Sequence, residues 1–180
     1  MSNYLELARQ HEAPLLNFMR DLIAIKSLSS QEGPVVKRIQ AEMKKLGYEE
    51  VRIDPMGNVI GRIGSGRRVI AIDGHVDTVD VGDLSQWKTD PFDPVVKNGI
   101  LYGRGTSDMK GGVASAVYAG ALLKKAGFPK EATLYVTGTV QEEDCDGLCW
   151  QYIIKEDKLR PNVVVITEPT SLRIYRGHRG

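Results

Sequence analysis

AIDGHVDTVD, residues 71–80, is the stretch on which the reading of this chain turns. Val69, Ile70, Ala71 and Ile72 form an apolar run that breaks at Asp73-Gly74 into His75, Val76 and Asp77. A short apolar run bounded by glycine reads as a buried strand. In open α/β sheets ligands gather outside the carboxyl ends of the strands, which is where these polar residues fall. His75 and Asp77 are two apart, so an extended backbone projects both to one side. They read either as a plain hydrogen-bonded pair or as a metal-ligating imidazole with a carboxylate that orients its ring.

On the amino-terminal side, Leu5, Ala8, Leu15, Leu16, Met19, Leu22 and Ile23 recur at helical spacing. They predict one amphipathic helix over 3–26, or two joined near Pro14. SLSSQEGP is a loop, and Pro34 opens a second helix through Val35, Val36, Ile39, Met43 and Leu46, stopped by Gly47. Tyr48 to Ile53 and Val59 to Ile63 read as two strands around the turn DPMGN. GSGRR is a further turn; no helix pattern follows it, as a phosphate-cradling loop would require.

On the carboxyl side, residues 77–112 are rich in Asp, Gly and Pro, with β-like pieces at Val95–Val96 and Ile100–Tyr102. A long irregular segment of this kind is often functional. Trp87 and Phe92 read as its packing anchors. Small and apolar residues from Met109 to Ala126 predict a helix packed closely on a sheet, with Gly127 as its stop. Asp108 stands just before it, either as the cap of that helix or as a site residue. Leu134 to Val140 is a strand running into Gln141-Glu142-Glu143-Asp144. Asp146 and Gly147 open a helix through Leu148, Trp150 and Ile153. Val163 to Ile166 is a strand running into Thr167-Glu168-Pro169, and Leu172 to Tyr175 begins one more. Strands alternating with helices predict an α/β fold, its sheet mostly parallel or mixed and flanked by helices.

Length and composition narrow the class. The 180 residues suffice for one domain with a core. A net charge of +1 without a run of one sign gives no case for a nucleic acid or an anionic membrane as partner. No apolar run approaches spanning length, and MSNYLELARQHEAP lacks a signal-peptide core, so a cytoplasmic location is expected. Cys145 and Cys149 read as buried or half-buried thiols rather than a metal pair.

Three strands thus end in Asp73/His75/Asp77, Glu142/Glu143 and Glu168, and a helix start adds Asp108. Carboxylates gathered at strand ends repel one another, and a cation offsets that repulsion. Imidazole and carboxylate donors suit zinc, and also cobalt or manganese. A carboxylate such as Asp108 could bridge two ions about 3.5 Å apart. Glu142 and Glu143 can divide the roles of base and ligand, since neighbours on an extended segment point oppositely.

GHVDTV, LYGRGTSDMKGG, TGTVQEED, ITEPT and GHRG, in that order, resemble the motifs of the M20 metallopeptidase family. That family includes acetylornithine deacetylase, succinyl-diaminopimelate desuccinylase, aminoacylase-1 and carboxypeptidase G2. Within it, EEDCDG is similar to the selenium-metabolism-linked hydrolase branch. The resemblance implies a zinc-peptidase-like catalytic domain with two divalent metal ions. By position, His75 and Glu168 resemble ligands of the first metal, Asp108 the bridging ligand and Glu143 a ligand of the second. Asp77 resembles the carboxylate that orients His75, and Glu142 the general base. The family often has a cis peptide just after the residue matching Asp108. Arg104 and Lys110 are read as fixing their loop rather than touching substrate. The implied reaction is amide hydrolysis of an N-acyl amino acid or small peptide by a metal-activated water.

Family members are roughly twice as long, with a lid domain after the GHRG-like segment and a second terminal His further on. The chain therefore reads as an amino-terminal fragment: residues 1–176 are part of the catalytic domain, and 177–180 begin the hinge to an absent lid. His11 is expected on the surface, and His178 in the hinge takes neither missing role. The expectation is that the fragment binds metal weakly, has no useful amidase activity and exposes apolar edges that permit a homodimer. The alternative is a non-catalytic α/β binding module derived from such an enzyme. A nucleotide-binding domain is excluded by the absence of a glycine-rich fingerprint turn.

Overall fold

The computed structural model describes residues 4–171 and 173–175. The amino-terminal pattern folds into two helices, α1 (Tyr4–Gln10) and α2 (Glu12–Ala24), and the break falls at His11 rather than at Pro14. Pro14 lies in the first turn of α2, where a missing N–H costs no helical bond. The ring of His11 is half-buried at this joint, with Nδ1 2.8 Å from Leu7 O, not on the surface as its polar neighbours suggest. Helix α3 (Gly33–Lys45) starts with Pro34 in its first turn and gives way to Gly47, whose φ of +79° suits glycine.

Strands β1 (Glu50–Ile53) and β2 (Val59–Gly64) form the expected hairpin. Asp54 shapes its turn by accepting N–H bonds from Gly57 and Asn58. Strand β3 (Arg68–His75) follows, then the irregular segment with a small hairpin of β4 (Val95–Lys97) and β5 (Ile100–Tyr102). Trp87 packs into that segment through an Nε1–H bond to Val81 O, with the Arg104 guanidinium 5.0 Å from its ring centroid. Helix α4 (Lys110–Lys125), strand β6 (Ala132–Thr139), helix α5 (Leu148–Lys155) and strand β7 (Val163–Ile166) complete the order. The strand expected at 172–175 does not form over residues 173–175, and Leu172 lies outside the described residues. So do 177–180, the expected hinge with His178.

The main sheet runs β1–β2–β6–β3–β7. Its first two pairings are antiparallel and its last two parallel, so of the two expected arrangements it is the mixed one. The hairpin causes this: β2 docks its outer edge antiparallel to β6 instead of crossing over. Helices α2, α3 and α4 cover one face. There Phe18, Leu22, Ile39, Met43, Val117 and Val136 are buried, each contributing about 1.5–3 kcal/mol of burial free energy. Helix α5 covers the other face, with Ile153 against Ile60 and Leu159. On the margin, all four residues of β7 are exposed. No helix among the described residues is long and apolar enough to cross a membrane.

Candidate metal centre

Register decides what meets at the carboxyl edge of the sheet. Strand β3 pairs in parallel with β6, ending at His75 opposite Thr139, and with β7, ending at Asp73 opposite Ile166. Three strand ends therefore lie level, and the residues just past them, Glu142, Glu143 and Glu168, face the last residue of β3. The segment before α4 brings in Asp108. His75 is 2% exposed, and its Nε2 lies 2.9 Å from Asp108 Oδ1, 3.6 Å from Glu168 Oε1 and 3.7 Å from Glu142 Oε2. Donor atoms of His75, Asp108 and Glu143 lie within 4.8 Å of one another, and so do those of His75, Glu142 and Glu168. The two groups meet at His75.

Small residues let these segments approach. A Cβ on Gly112 would lie 2.6 Å from Thr167 Oγ1, and one on Gly74 would lie 2.9 Å from it. Thr167 in turn bonds to Asp73 O through both N–H and Oγ1, which anchors the residue preceding Glu168. Met109, not Asp108, stands at the N-cap of α4, and no side chain caps that helix. The carboxylate of Asp108 is directed to His75 instead, and the Asp108–Met109 peptide is cis, as the family resemblance implied. Lys110 is buried, its ammonium bonded to Leu22 O and Ile25 O at the end of α2. Arg104 bonds to Asp80 O. Both basic residues hold backbone.

Asp77 is fully buried beneath the cluster. Its backbone carbonyl lies 2.9 Å from His75 Nδ1, closer than its carboxylate, whose Oδ1 is 3.5 Å away. The carboxylate accepts from Ser29 Oγ at 2.7 Å, from Glu142 N at 3.2 Å and from Glu143 N at 3.1 Å. Asp77 thus ties the β3 end to the glutamate pair. Behind it Asp73, also buried, accepts from Thr137 Oγ1 and from Trp150 Nε1. Burial raises the Asp73 pKa against those bonds.

The pocket carries an excess of negative charge. Burial disfavours a charged His75 ring, yet Asp77, then Glu142 and Glu168, outweigh it and push the imidazole up to about 10. Burial raises the carboxyls of Glu142, Glu143 and Glu168, and although His75 pulls them down, repulsion from neighbouring carboxylates raises them further. Burial opposes charge on Asp77 as well, but its donors hold it below the usual range. One imidazole ringed by carboxylates that repel one another fits a hard or borderline divalent cation. Both donor groups share His75.

The sequence did not single out Ser29, Ser30 or Glu32, whose loop carried no signal beyond its serine content; Ser29 bonds to Asp77, and Ser30 and Glu32 bond to Gln141, the residue before the glutamate pair. Cys149 is buried as expected, whereas Cys145 is exposed rather than half-buried, on the turn leading to α5.

An α/β sheet whose level strand ends enclose an imidazole among carboxylates is the plan of a metal-centred α/β protein. The chain belongs to peptidase family M20/M25/M40, whose profile matches residues 71–176. It is 53% identical over 176 residues to the uncharacterized protein YgeY of Escherichia coli, covering 98% of this chain and 44% of that protein. It is 33% identical over 173 residues to a probable succinyl-diaminopimelate desuccinylase of Staphylococcus epidermidis, covering 94% of this chain and 42% of that one. The chain therefore spans less than half the length of these relatives. The fold is similar to that of Dug1p, a di-peptidase of Saccharomyces cerevisiae, with a TM-score of 0.77 at 19% identity over 91% of this chain and 40% of that one. It is similar too to YXEP of Bacillus subtilis, a dinuclear metal-binding peptidase of family M20, with a TM-score of 0.65 at 20% identity over 88% and 43%.

Proposed function

We propose that the protein to which this chain belongs is a metal-dependent hydrolase of C–N amide bonds, acting on an N-acyl amino acid or a small peptide. The observation that carries this reading is the convergence of Asp108, Glu142 and Glu168 within 3.7 Å of His75 Nε2. The relatives named as desuccinylase and dipeptidase support the bond class. His75, Asp108, Glu143 and Glu168 would hold two divalent ions, zinc before cobalt or manganese. Bound ions supply Lewis acidity and lower the pKa of water. Glu142 is the base: it takes the proton of the attacking water and hands it to the departing amine. Asp77 touches no reacting atom; it holds His75 from below and fixes the amides of Glu142 and Glu143.

The test pairs zinc and cobalt titration calorimetry with a hydrolysis panel of N-acyl amino acids and dipeptides. Glu142→Gln is expected to keep metal affinity while losing about 10²–10⁴-fold in turnover. Wild-type turnover by this variant, or no metal uptake by the parent, would overturn the reading. For the 180-residue chain alone, little turnover is expected, since the described cluster offers one imidazole to two donor groups. Robust hydrolysis by that chain would contradict this.

A further inference from the structure

We propose that Glu32 is a positioning residue for the Glu142–Glu143 pair, holding Gln141 in the left-handed conformation that turns both glutamates into the cluster. Gln141 has φ +57°, a conformation that costs any residue but glycine free energy and persists where surroundings impose it. The surroundings here are two residues of the loop between α2 and α3. The Gln141 N–H donates to Glu32 Oε1 at 2.9 Å, and Gln141 Nε2 donates to Ser30 Oγ at 2.8 Å. Three successive amides, those of Gln141, Glu142 and Glu143, are thus taken by carboxylates, the first by Glu32 and the next two by Asp77.

Among the described residues, the bond to Gln141 N–H is the one side-chain hydrogen bond Glu32 makes. It stands at the N-cap of α3, where a capping side chain would bond a free helix amide, yet it makes no such bond. It is 5% exposed, so its carboxylate is directed inward across the chain rather than into solvent. Without this support, Gln141 relaxes to an ordinary right-handed or extended conformation. Asp77 then retains two amides whose carbonyl-side neighbour has rotated, and the glutamate side chains leave their present directions.

The inference deepens the metal-centre reading and rests on it only in its second arm. The first arm uses the metal-free 180-residue chain and amide hydrogen exchange. Glu32→Ala is expected to speed exchange at Gln141 by at least about tenfold while Val136, within β6, keeps its rate. Glu32→Gln, which retains a side-chain carbonyl acceptor, loses less protection and guards against a variant that merely unfolds. The second arm follows the visible absorption of cobalt(II) on titration. Glu32→Ala is expected to weaken uptake by about 10–100-fold, the usual effect of removing an outer support. Adding Gln141→Gly is expected to restore affinity to within about threefold, because glycine adopts the left-handed conformation unaided. Unchanged exchange at Gln141 in Glu32→Ala, or a double variant as weak as the single one, would overturn the proposal. If the parent takes up no cobalt while the first arm behaves as expected, the metal reading fails and the positioning role stands.

Discussion

Gly112→Ala sets two effects of opposite sign against each other at the floor of the pocket. Intrinsic preference favours alanine in helix α4 by up to about 1 kcal/mol. Packing opposes it: the new Cβ would lie 2.6 Å from Thr167 Oγ1, 2.8 Å from Thr167 O and 2.9 Å from Thr167 Cβ. Thr167 cannot swing away freely, because its N–H and its hydroxyl both bond to Asp73 O at 3.0 Å. Overpacking of this kind costs about 1–3 kcal/mol, and the strained hydroxyl bond adds about 1 kcal/mol. Packing wins, for a net loss of about 1–3 kcal/mol. For a chain of this size each kcal/mol lowers Tm by about 2–4 °C. Relief requires Thr167 to retreat until the contact opens from 2.6 Å to at least 3.0 Å, and Glu168 is carried with it. Cobalt affinity is expected to fall by about 10–100-fold. Urea denaturation and cobalt titration measure the two quantities, with Gly33→Ala as the control: nothing lies within 4 Å of a Cβ there, so that variant is expected to be neutral or slightly stabilised. A Gly112→Ala protein more stable than the parent, with undiminished cobalt affinity, refutes the argument.

Glu42 gives a pH dependence of definite sign. Burial opposes its charge, but bonds from Tyr118 and Arg38 outweigh burial and hold its pKa below the ordinary 4.5. The folded value lies below the unfolded one, so the stabilisation is present above about pH 4.5 and is lost as pH falls through the folded value. Glu42→Gln is expected to flatten the acid limb of a stability–pH curve measured by urea denaturation. Trp150→Phe removes a 2.8 Å donor from buried Asp73 and is expected to cost about 1–3 kcal/mol; no loss would show that the bond is unimportant. Phe18→Ala, at a residue 1% exposed, is expected to cost about 3–5 kcal/mol by the same assay.

Much of this was legible in local pattern. The apolar run before His75, the hairpin around DPMGN and the acids after β6 and β7 are all signals carried by neighbouring residues. The order of strands is not local: nothing in Val59 to Ile63 says that β2 lies against β6 antiparallel, and so the local pattern left a mostly parallel and a mixed sheet both open. Asp108 was locally ambiguous, because a carboxylate before a helix serves equally as a cap. Its Oδ1 lies 2.9 Å from His75 Nε2, a contact across 33 residues of chain that no local pattern announces. The supports of the site were the least readable. Ser29 meets Asp77 over a separation of 48 residues, and Glu32 meets Gln141 over 109, while each looks like ordinary loop chemistry in its own surroundings.

Lys110 turns the molecule into its own clock. Burial brings its amine down to about 8 from an ordinary 10.5, a shift that lasts only while the amine is sealed. It is 1% exposed, sealed beneath the carbonyls of Leu22 and Ile25. An acylating reagent reaches it only when the end of α2 lifts from the start of α4, two residues past Asp108. The rate of its labelling, read by mass spectrometry, therefore times the breathing of the pocket floor, and labelling as fast as that of a surface lysine would mean that the seal is open at rest.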